Sequence, residues 1–348
     1  MTENRKRAYQ FLLDNARAII RLEAASALGQ ETEALRNEML HHPHVQYWLE
    51  CVQRFLIRPQ FHNSADTCLE NWMHKLLSFG VREADDKGLH DANCRILNYA
   101  RTYSDERMFH NTIHSTITAS WLACMGYEEQ VVTDLLRERI EAVYDFAKEG
   151  NYDIYVKPEG YPAIPKARAD HSLVDPSLYG NEIWKLPTVH DVFAYANLPA
   201  VLRKEPRIQK KIDVIIRYIL DERYQRLPRG YGLMLVYPDK YYSMGWSVHL
   251  DHYFKDNARM GIDGVVWAME LMSHFGAARE SEWFKRTLEH LEQYEKDGLY
   301  EFPACYLSEG TDKYYVGGGH MGLGENRRER KGLTIESTAW MMRILRNV

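Results

Sequence analysis

Two segments of the chain repeat one pattern of paired helices, and this repeat constrains the fold more than any other feature. Residues 117–155 and 265–303 each contain a helix with a tryptophan near its start, a step that joins glycine to an aromatic residue, and a charged amphipathic helix. Both segments close on a glycine-containing turn that ends in tyrosine, and residues 189–234 follow the same plan more loosely. Recurrent helix pairs of about 40 residues build either an open solenoid or a closed ring.

The irregular units and the long loops after each pair favour the closed ring, an α/α toroid with inner and outer helices. Apolar residues recur at helical spacing along most of the chain, which predicts an all-α protein. Short aromatic segments at Leu233–Tyr237 and Lys313–Val316 predict a few strands at the rim. We expect residues 1–348 to form a single toroid domain, with an ordered insertion loop at about 156–185 that holds four of the 12 prolines.

Composition and charge narrow the classes of partner. The net charge is −5, from 44 basic and 49 acidic residues without a long basic block, so nucleic acid is not expected as a partner. No apolar run reaches the roughly 18 residues that a membrane span needs. The five cysteines are scattered and never spaced as CxxC, which is typical of a reducing compartment. With an amphipathic first helix in place of a signal peptide, the sequence predicts a cytoplasmic protein.

Two segments, 228–253 and 314–330, are rich in glycine, tyrosine and histidine and lie between ordinary amphipathic helices. Folding has no need of such clusters, since glycine costs backbone entropy and a buried polar ring requires a hydrogen-bond partner. We therefore expect the two segments to form one site at the mouth of the toroid. The expected catalytic residues are Asp251 and Glu325 as carboxyl groups, His249 as base, His320 as a second polar group, and Tyr242.

The expected substrate-binding residues are aromatic side chains and one cation. Trp246, Tyr241, Tyr314 and Tyr315 offer ring faces that stabilise carbocations or stack on sugar rings, and Arg327 can neutralise a carboxylate. The same histidines also suggest a metal site, in which His249 and Asp251 would be joined by Cys305 and His320 as ligands. Its spacing is weaker than that of a motif such as HExxH, so we assign no residue to a metal, and the sequence leaves the cofactor open.

The helix pair that closes on Asp297-Gly298-Leu299-Tyr300 resembles the repeat unit of the squalene cyclase and protein prenyltransferase superfamily. The resemblance covers residues 117–345 and implies an α/α toroid with a ligand cavity at its centre. This chain does not carry the catalytic signatures of that superfamily. The chain lacks the Asp-x-Asp-Asp acid motif and the Gln-Trp ending of the cyclase repeats. The closest elements to the zinc ligands of the prenyltransferases are Asp251, Cys305 and His320, at a spacing that is too long.

Three functions are open at this point. The first is an enzyme of terpenoid-cyclase-like fold that encloses a small or chain-like substrate, such as an isoprenoid, in an aromatic-lined cavity. The second is a carbohydrate-active lyase or hydrolase on the same fold, with an oligosaccharide as substrate and Asp251 with Glu325 as its carboxyl pair. The third is a binding or scaffold protein without catalysis. An open acidic cleft favours sugars, a deep apolar pocket favours an isoprenoid, and a cavity filled by its own side chains favours the binding or scaffold protein.

Overall fold

The computed structural model describes residues 1–63, 65–102, 108–180, 183–236, 239–243, 245–254, 264–309 and 319–348. Helices dominate it, so the all-α prediction is confirmed. The helices are α1 Glu3–Asn15, α2 Ala18–Ala27, α3 Glu33–Leu40, α4 Pro43–Ile57, α5 Leu69–Ser78, α6 Lys87–Thr102, α7 Met108–Cys124, α8 Gln130–Ala147, α9 Val189–Ala196, α10 Ala200–Arg203, α11 Pro206–Ile219, α12 Glu222–Gln225, α13 Val265–Ser273, α14 Gly276–Arg279, α15 Glu282–Glu292 and α16 Gly332–Arg346. The strands are β1 Tyr155–Val156, β2 Leu173–Val174, β3 Leu233–Val236, β4 Lys240–Ser243, β5 Glu295–Lys296 and β6 Leu299–Tyr300.

The chain groups into two compact units. The first unit contains Met1–Ile96 and Asp251–Val348, and the second contains Leu97–Leu250. In the first unit, α1 packs on α2 and α16, while α13 packs on α16 and α15. In the second unit, α7 packs on α8 and α9, and α8 packs on α11. The expectation of a single domain stays a prediction.

The first long helix of the sequence pattern is divided in the structure. Periodicity predicts one helix from Thr2 to Leu28, whereas α1 ends at Asn15 and α2 begins at Ala18. Ala16 and Arg17 are extended between them, and the Arg17 amide donates a hydrogen bond of 2.6 Å to the Glu325 carboxyl group. The Arg17 amide thus makes a tertiary hydrogen bond instead of an intrahelical one. Local helix propensity does not predict this break between α1 and α2.

The predicted strand at Leu233–Tyr237 is confirmed as part of a small sheet in the second unit. Its strand β3 pairs antiparallel with β4 and parallel with β2, which in turn pairs antiparallel with β1. Because side chains alternate across a strand, Tyr241 is buried against Leu173 and Leu233 while Tyr242 is exposed. The insertion loop therefore contributes β2 to this sheet. The other predicted strand, at 313–316, lies outside the described residues.

The glycine turn that ends the second repeat is a tight hairpin between β5 and β6 in the first unit. Asp297 and Gly298 both have positive φ, of 57° and 83°. That conformation fits a type I′ turn, which matches the twist of the two strands it joins, and Asp-Gly is one of its preferred sequences. The pairing of Glu295 with Tyr300 then directs the chain from α15 toward the segment after β6.

A buried ion pair organises the second unit. Arg139 of α8 contacts Asp191 of α9 through two hydrogen bonds of 2.6 and 2.7 Å, and both side chains are almost fully buried. Asp191 also completes a capping box with Thr188 at the start of α9. Arg139 donates further to the carbonyl groups of Trp184 and Leu186, so the loop before α9 is fixed to α8.

Within the described ranges, every helix is too short or too polar to cross a lipid bilayer. For these residues, the sequence prediction that no helix spans a membrane is confirmed. Helices α7 and α8 are the longest helices among the described residues, and they pack on each other and on α9 and α11.

We predict that Asp191→Asn lowers the free energy of unfolding by about 3–5 kcal/mol, because it leaves the Arg139 charge buried without its counterion. The matched control is Glu205→Gln, which removes the same charge from a pair with Arg137 whose side chains are 40% and 37% exposed. That change is expected to cost less than about 1 kcal/mol. Urea unfolding followed by circular dichroism measures both, and equal losses in the two variants would contradict the assignment.

Candidate functional site

The residues that the sequence marks for a site fall in both units, and each set has its own surroundings. Tyr241, Tyr242, Trp246 and His249 belong to the second unit, and Asp251 begins the second part of the first unit. His320, Glu325 and Arg327 also belong to the first unit. Tyr314 and Tyr315 lie outside the described residues. Whether segments 228–253 and 314–330 share one site stays a prediction.

His249 is held by hydrogen bonds at both of its ring nitrogens. Nδ1 lies 2.8 Å from the Ser247 hydroxyl, and Nε2 lies 2.8 Å from the carbonyl oxygen of Leu227. Burial lowers the pKa of His249, so the imidazole is neutral and donates one proton to this network. In this arrangement the ring fixes the backbone of its own segment, and its role as a base stays a prediction.

The aromatic residues of the second unit differ in exposure. The Tyr241 hydroxyl donates to the carbonyl of Pro162, and burial raises the pKa of Tyr241. Tyr242 is 41% exposed, and Trp246 is partly exposed with its ring edge-on to His190 at 6.1 Å between ring centres. Among the described residues of this segment, Tyr242 and Trp246 thus keep ring surface that a ligand could contact.

In the first unit, one buried carboxylate organises the segment that carries three predicted site residues. Glu336 of α16 accepts hydrogen bonds from the amides of Leu323 (2.6 Å) and Glu325 (3.2 Å). Its other oxygen accepts from Nε of Arg327, whose guanidinium also donates to the carbonyl of Leu307. A buried carboxylate requires such partners, and here they come from the loop before its own helix.

A buried lysine also binds the backbone of this segment. Lys75 of α5 donates to the carbonyl oxygens of His320 (2.8 Å) and Gly322 (2.6 Å), and burial lowers the pKa of Lys75. His320 has a φ of 55°, an uncommon conformation for a residue with a Cβ, and its ring packs edge-on against Trp48. The hydrogen bonds from Lys75 therefore stabilise a strained backbone at a residue expected to be functional.

Glu325 is a predicted carboxyl group whose side chain is buried. Its side chain is 4% exposed and accepts the hydrogen bond from the Arg17 amide. Burial raises the pKa of Glu325, and the nearby carboxylates of Glu336 and Glu329 raise it further, while Arg17 lowers it. The result is a carboxyl group that keeps its proton to higher pH than an ordinary glutamate.

Glu325, Arg327 and Glu336 line one open cleft of about 690 Å³, which we call the carboxyl cleft. Its charged lining residues are Arg17, Glu309, Glu325, Arg327, Arg328 and Glu336. The Glu309 side chain is 49% exposed, and its carboxylate lies 3.8 Å from Nζ of Lys75 and 3.6 Å from the Arg327 guanidinium. The cleft thus combines a buried carboxyl group of raised pKa with an accessible carboxylate between two cations.

Gly322 permits the close approach of Glu309 in this cleft. A Cβ at Gly322 would overlap the Glu309 carboxylate, so a side chain there would push that group away from Lys75 and Arg327. Gly324 has a φ of 91° and lies against Ile19 and His42. The glycines of this loop therefore serve both backbone conformation and the placement of a charged group.

The remaining sequence candidates of the first unit do not form a metal centre with one another. Among the described residues of this unit, Asp251, Cys305 and His320 do not bring three ligand atoms together. Asp251 is nearly buried, and its carbonyl oxygen accepts a hydrogen bond of 2.8 Å from Nε1 of Trp283. The catalytic role predicted for Asp251 stays a prediction.

Sequence reasoning overlooked Lys75, Glu309 and Glu336. Lys75 and Glu336 are charged residues inside otherwise apolar helical segments, WMHKLL and TIESTAW. A charge at a core position is rarely tolerated without partners, so the interruption of an apolar run is the signal that could have found both. Glu309 lies in a loop and carries no comparable signal.

Comparisons with known proteins find no match for this chain: no protein-family model, no curated protein and no solved structure is significantly similar to it. The roles of the residues are therefore argued from geometry and chemistry alone. The resemblance of the repeat unit to the squalene cyclase and prenyltransferase superfamily keeps the status of a proposal.

We predict that Glu336→Gln destabilises the first unit by about 3–5 kcal/mol, because the change leaves Arg327 without its buried counterion. It also places amide hydrogens among the amide donors of Leu323 and Glu325. Hydrogen exchange at those two amides should become faster. Glu329→Gln is the control, since that side chain is 60% exposed. Unchanged exchange in Glu336→Gln would argue against the carboxylate as the anchor of the segment.

Proposed function

We propose that this protein is a carbohydrate-active enzyme that cleaves glycosidic bonds in the carboxyl cleft. The observation that carries the proposal is the pairing of two unlike carboxyl groups, Glu325 and Glu309, in one open cleft. Glycoside cleavage uses a proton donor of raised pKa and a second carboxylate that acts as base or nucleophile. Environments that make two carboxyl groups different are the physical basis for dividing those roles.

Glu325 is the proposed general acid. Its buried carboxyl group protonates the leaving glycosidic oxygen, and the Arg17 amide holds one of its oxygens in place. Glu309 is the proposed second carboxylate, placed beside Lys75 and Arg327. Arg327 also lines the cleft and can pair with the carboxylate of an acidic sugar, so a substrate that contains a uronate suits the cleft.

The lining of the cleft favours a sugar over an isoprenoid. Arginine and glutamate side chains contribute most of its wall, together with His44 and Asn326. Hydroxyl groups of a sugar can exchange hydrogen bonds with such groups, whereas an isoprenoid chain would desolvate them without replacement. The alternative function stated from the sequence is therefore the one that this part of the molecule supports.

We propose an α/α toroid as the architecture. In the second unit, α7 contacts both its partner α8 and the first helix of the next pair, α9, while α8 contacts α11. Contacts between first helices and between second helices of successive pairs are those of two concentric helix layers. The five cysteines are all free thiols, which supports the proposed cytoplasmic location.

A second candidate function is the enclosure of an isoprenoid in an aromatic-lined cavity of the same toroid. The partial exposure of Tyr242 and Trp246 supports it, because rings on a cavity wall must be accessible to ligand. This candidate uses residues of the second unit and none of the carboxyl cleft. Substitutions in the cleft therefore separate the two functions.

We predict that purified protein releases reducing ends from a panel of neutral and uronate-containing oligosaccharides, and that Glu325→Gln and Glu309→Gln each lower the rate by about 10²–10⁴-fold. Glu282→Gln, an exposed glutamate of α15, is the control and should retain full rate. Ultraviolet absorbance of an unsaturated uronate would identify a lyase. Equal rates in all variants would refute the assignment, and turnover of isoprenoid diphosphates alone would favour the second candidate.

We also predict the direction of the pH dependence. A general acid acts while protonated, and the pKa of Glu325 is raised by burial, so activity should persist above the ordinary glutamate pKa of about 4.3 and fall as Glu325 loses its proton. Arg17→Ala should raise the pKa of Glu325 further, because it removes the nearby positive charge, and should move this alkaline limb upward. A limb that moves downward in Arg17→Ala would contradict the role of Glu325.

A further inference from the structure

The start of α6 brings a thiol, an imidazole and a carboxylate into contact on the surface of the first unit. Cys94 and His90 are four residues apart on α6, so their side chains lie on the same face of the helix. Sγ of Cys94 lies 3.6 Å from Nε2 of His90, and Nδ1 of the same ring lies 2.5 Å from Oε1 of Glu83. The imidazole therefore lies between the thiol and the carboxylate, with one nitrogen toward each.

The Glu83 carboxylate decides which nitrogen of His90 carries the proton. An ionised carboxylate can only accept a hydrogen bond, so Nδ1 donates to it and Nε2 keeps a lone pair toward Cys94. The thiol can then give its proton to Nε2, and the carboxylate stabilises the imidazolium that forms. A nucleophile, a base and a group that orients the base form the arrangement that activates cysteine and serine side chains in enzymes.

Glu83 is held in place by contacts with two helices. Its second oxygen, Oε2, accepts a hydrogen bond of 3.1 Å from Nδ2 of the buried Asn93 on α6. Glu83 also begins a short 3₁₀ turn that ends at Asp85, and Arg36 of α3 donates to the Asp85 carboxylate at 3.0 Å. The turn is thus tied to α3 and its first carboxylate to α6. The orientation of the His90 ring rests on this fixed carboxylate.

The other cysteines of the chain lack this environment. Burial raises the pKa of Cys51 to about 11 and the pKa of Cys68 and Cys124 to about 12, so these thiols stay protonated at neutral pH. Cys305 is exposed like Cys94, but within the described ranges no histidine is hydrogen-bonded to its sulfur. In the part of the chain that the structure describes, Cys94 is therefore the thiol that combines exposure with an imidazole contact.

We propose that Cys94 is a reactive thiol that forms a mixed disulfide with a low-molecular-weight disulfide, with His90 as proton acceptor and Glu83 as the residue that positions it. The thiol proton passes to Nε2 of His90, and the thiolate attacks one sulfur of the disulfide. The S–S bond of the disulfide breaks as the new bond to Sγ forms, and the released thiolate takes the proton from His90. Cys94 is oxidised and the departing sulfur is reduced, so the exchange requires no further oxidant.

The reaction requires only that a small disulfide reach the sulfur. Cys94 is exposed and the side chain of His90 is 56% exposed, so both groups face solvent. Excess thiol reverses the same exchange, which makes the modification reversible. Cys94, His90 and Glu83 are not among the residues that line the carboxyl cleft, so the thiol chemistry is independent of the proposed glycosidic activity.

The test follows each cysteine of the full chain separately, by mass spectrometry of its peptide. The protein reacts with iodoacetamide, or with 2-hydroxyethyl disulfide as a neutral disulfide probe. His90→Gln removes the proton acceptor. His41→Gln is the matched control, because His41 is an exposed histidine of the first unit whose Nδ1 lies 2.8 Å from a backbone carbonyl oxygen. Cys305 is the internal reference thiol, and labelling of the buried Cys51 and Cys68 reports unfolding.

An ordinary thiol is only a few per cent thiolate at neutral pH, so we expect Cys94 to react about tenfold faster than Cys305 with both reagents. In His90→Gln the rate of Cys94 should fall to that of Cys305, while His41→Gln should keep the wild-type rate. Glu83→Gln should give an intermediate rate and a smaller thiolate absorbance in the ultraviolet, measured against the same protein with Cys94→Ser. Equal rates for Cys94 and Cys305 in the wild type, or an unchanged Cys94 rate in folded His90→Gln, would overturn the proposal.

Discussion

The candidate site of the first unit depends on two buried charged residues, Lys75 and Glu336, that hydrogen-bond to the backbone of one loop. Lys75 donates hydrogen bonds to the carbonyl oxygens of His320 and Gly322. The Glu336 carboxylate accepts hydrogen bonds from the amides of Leu323 and Glu325 and from the Arg327 guanidinium. A buried charge is costly unless hydrogen bonds replace its water, and backbone groups of a loop are equally costly to bury unsatisfied. Here the buried charges and the buried backbone groups of the loop satisfy one another by hydrogen bonding. The position of Glu325 in the carboxyl cleft follows from it.

The same device recurs elsewhere in the chain. In the second unit, Arg139 holds the loop before α9 through two carbonyl groups and the Asp191 carboxylate. In the first unit, Arg286 of α15 donates hydrogen bonds to the successive carbonyl groups of His252 and Tyr253. Helices thus supply rigid positions, and a few long polar side chains transmit that rigidity to loops. Functional groups on such loops are held more firmly than loop backbone alone would hold them.

The histidines show how surroundings separate residues that look alike in sequence. His249 and His252 are three residues apart, yet both nitrogens of His249 are engaged by its own unit, while Nε2 of His252 is buried without a partner among the described residues. The first ring stabilises a loop, whereas the second packs beside the His290 ring. Both belong to the segment 228–253, and the sequence named only His249 as a candidate base. Only the hydrogen-bond pattern distinguishes them.

The sequence by itself determined the helical class and the strand at β3, because periodicity and alternation are local signals. It named Glu325, His320 and Arg327 as candidates, and their roles stay predictions. It missed the break before α2, since that break is stabilised by Glu325, 308 positions away in the chain. It also missed Lys75 and Glu336, whose value lies in the backbone groups that surround them. Raised and lowered pKa values, strained histidines and paired carboxyl groups arise from burial and from contacts between distant segments, so only the tertiary structure decided them.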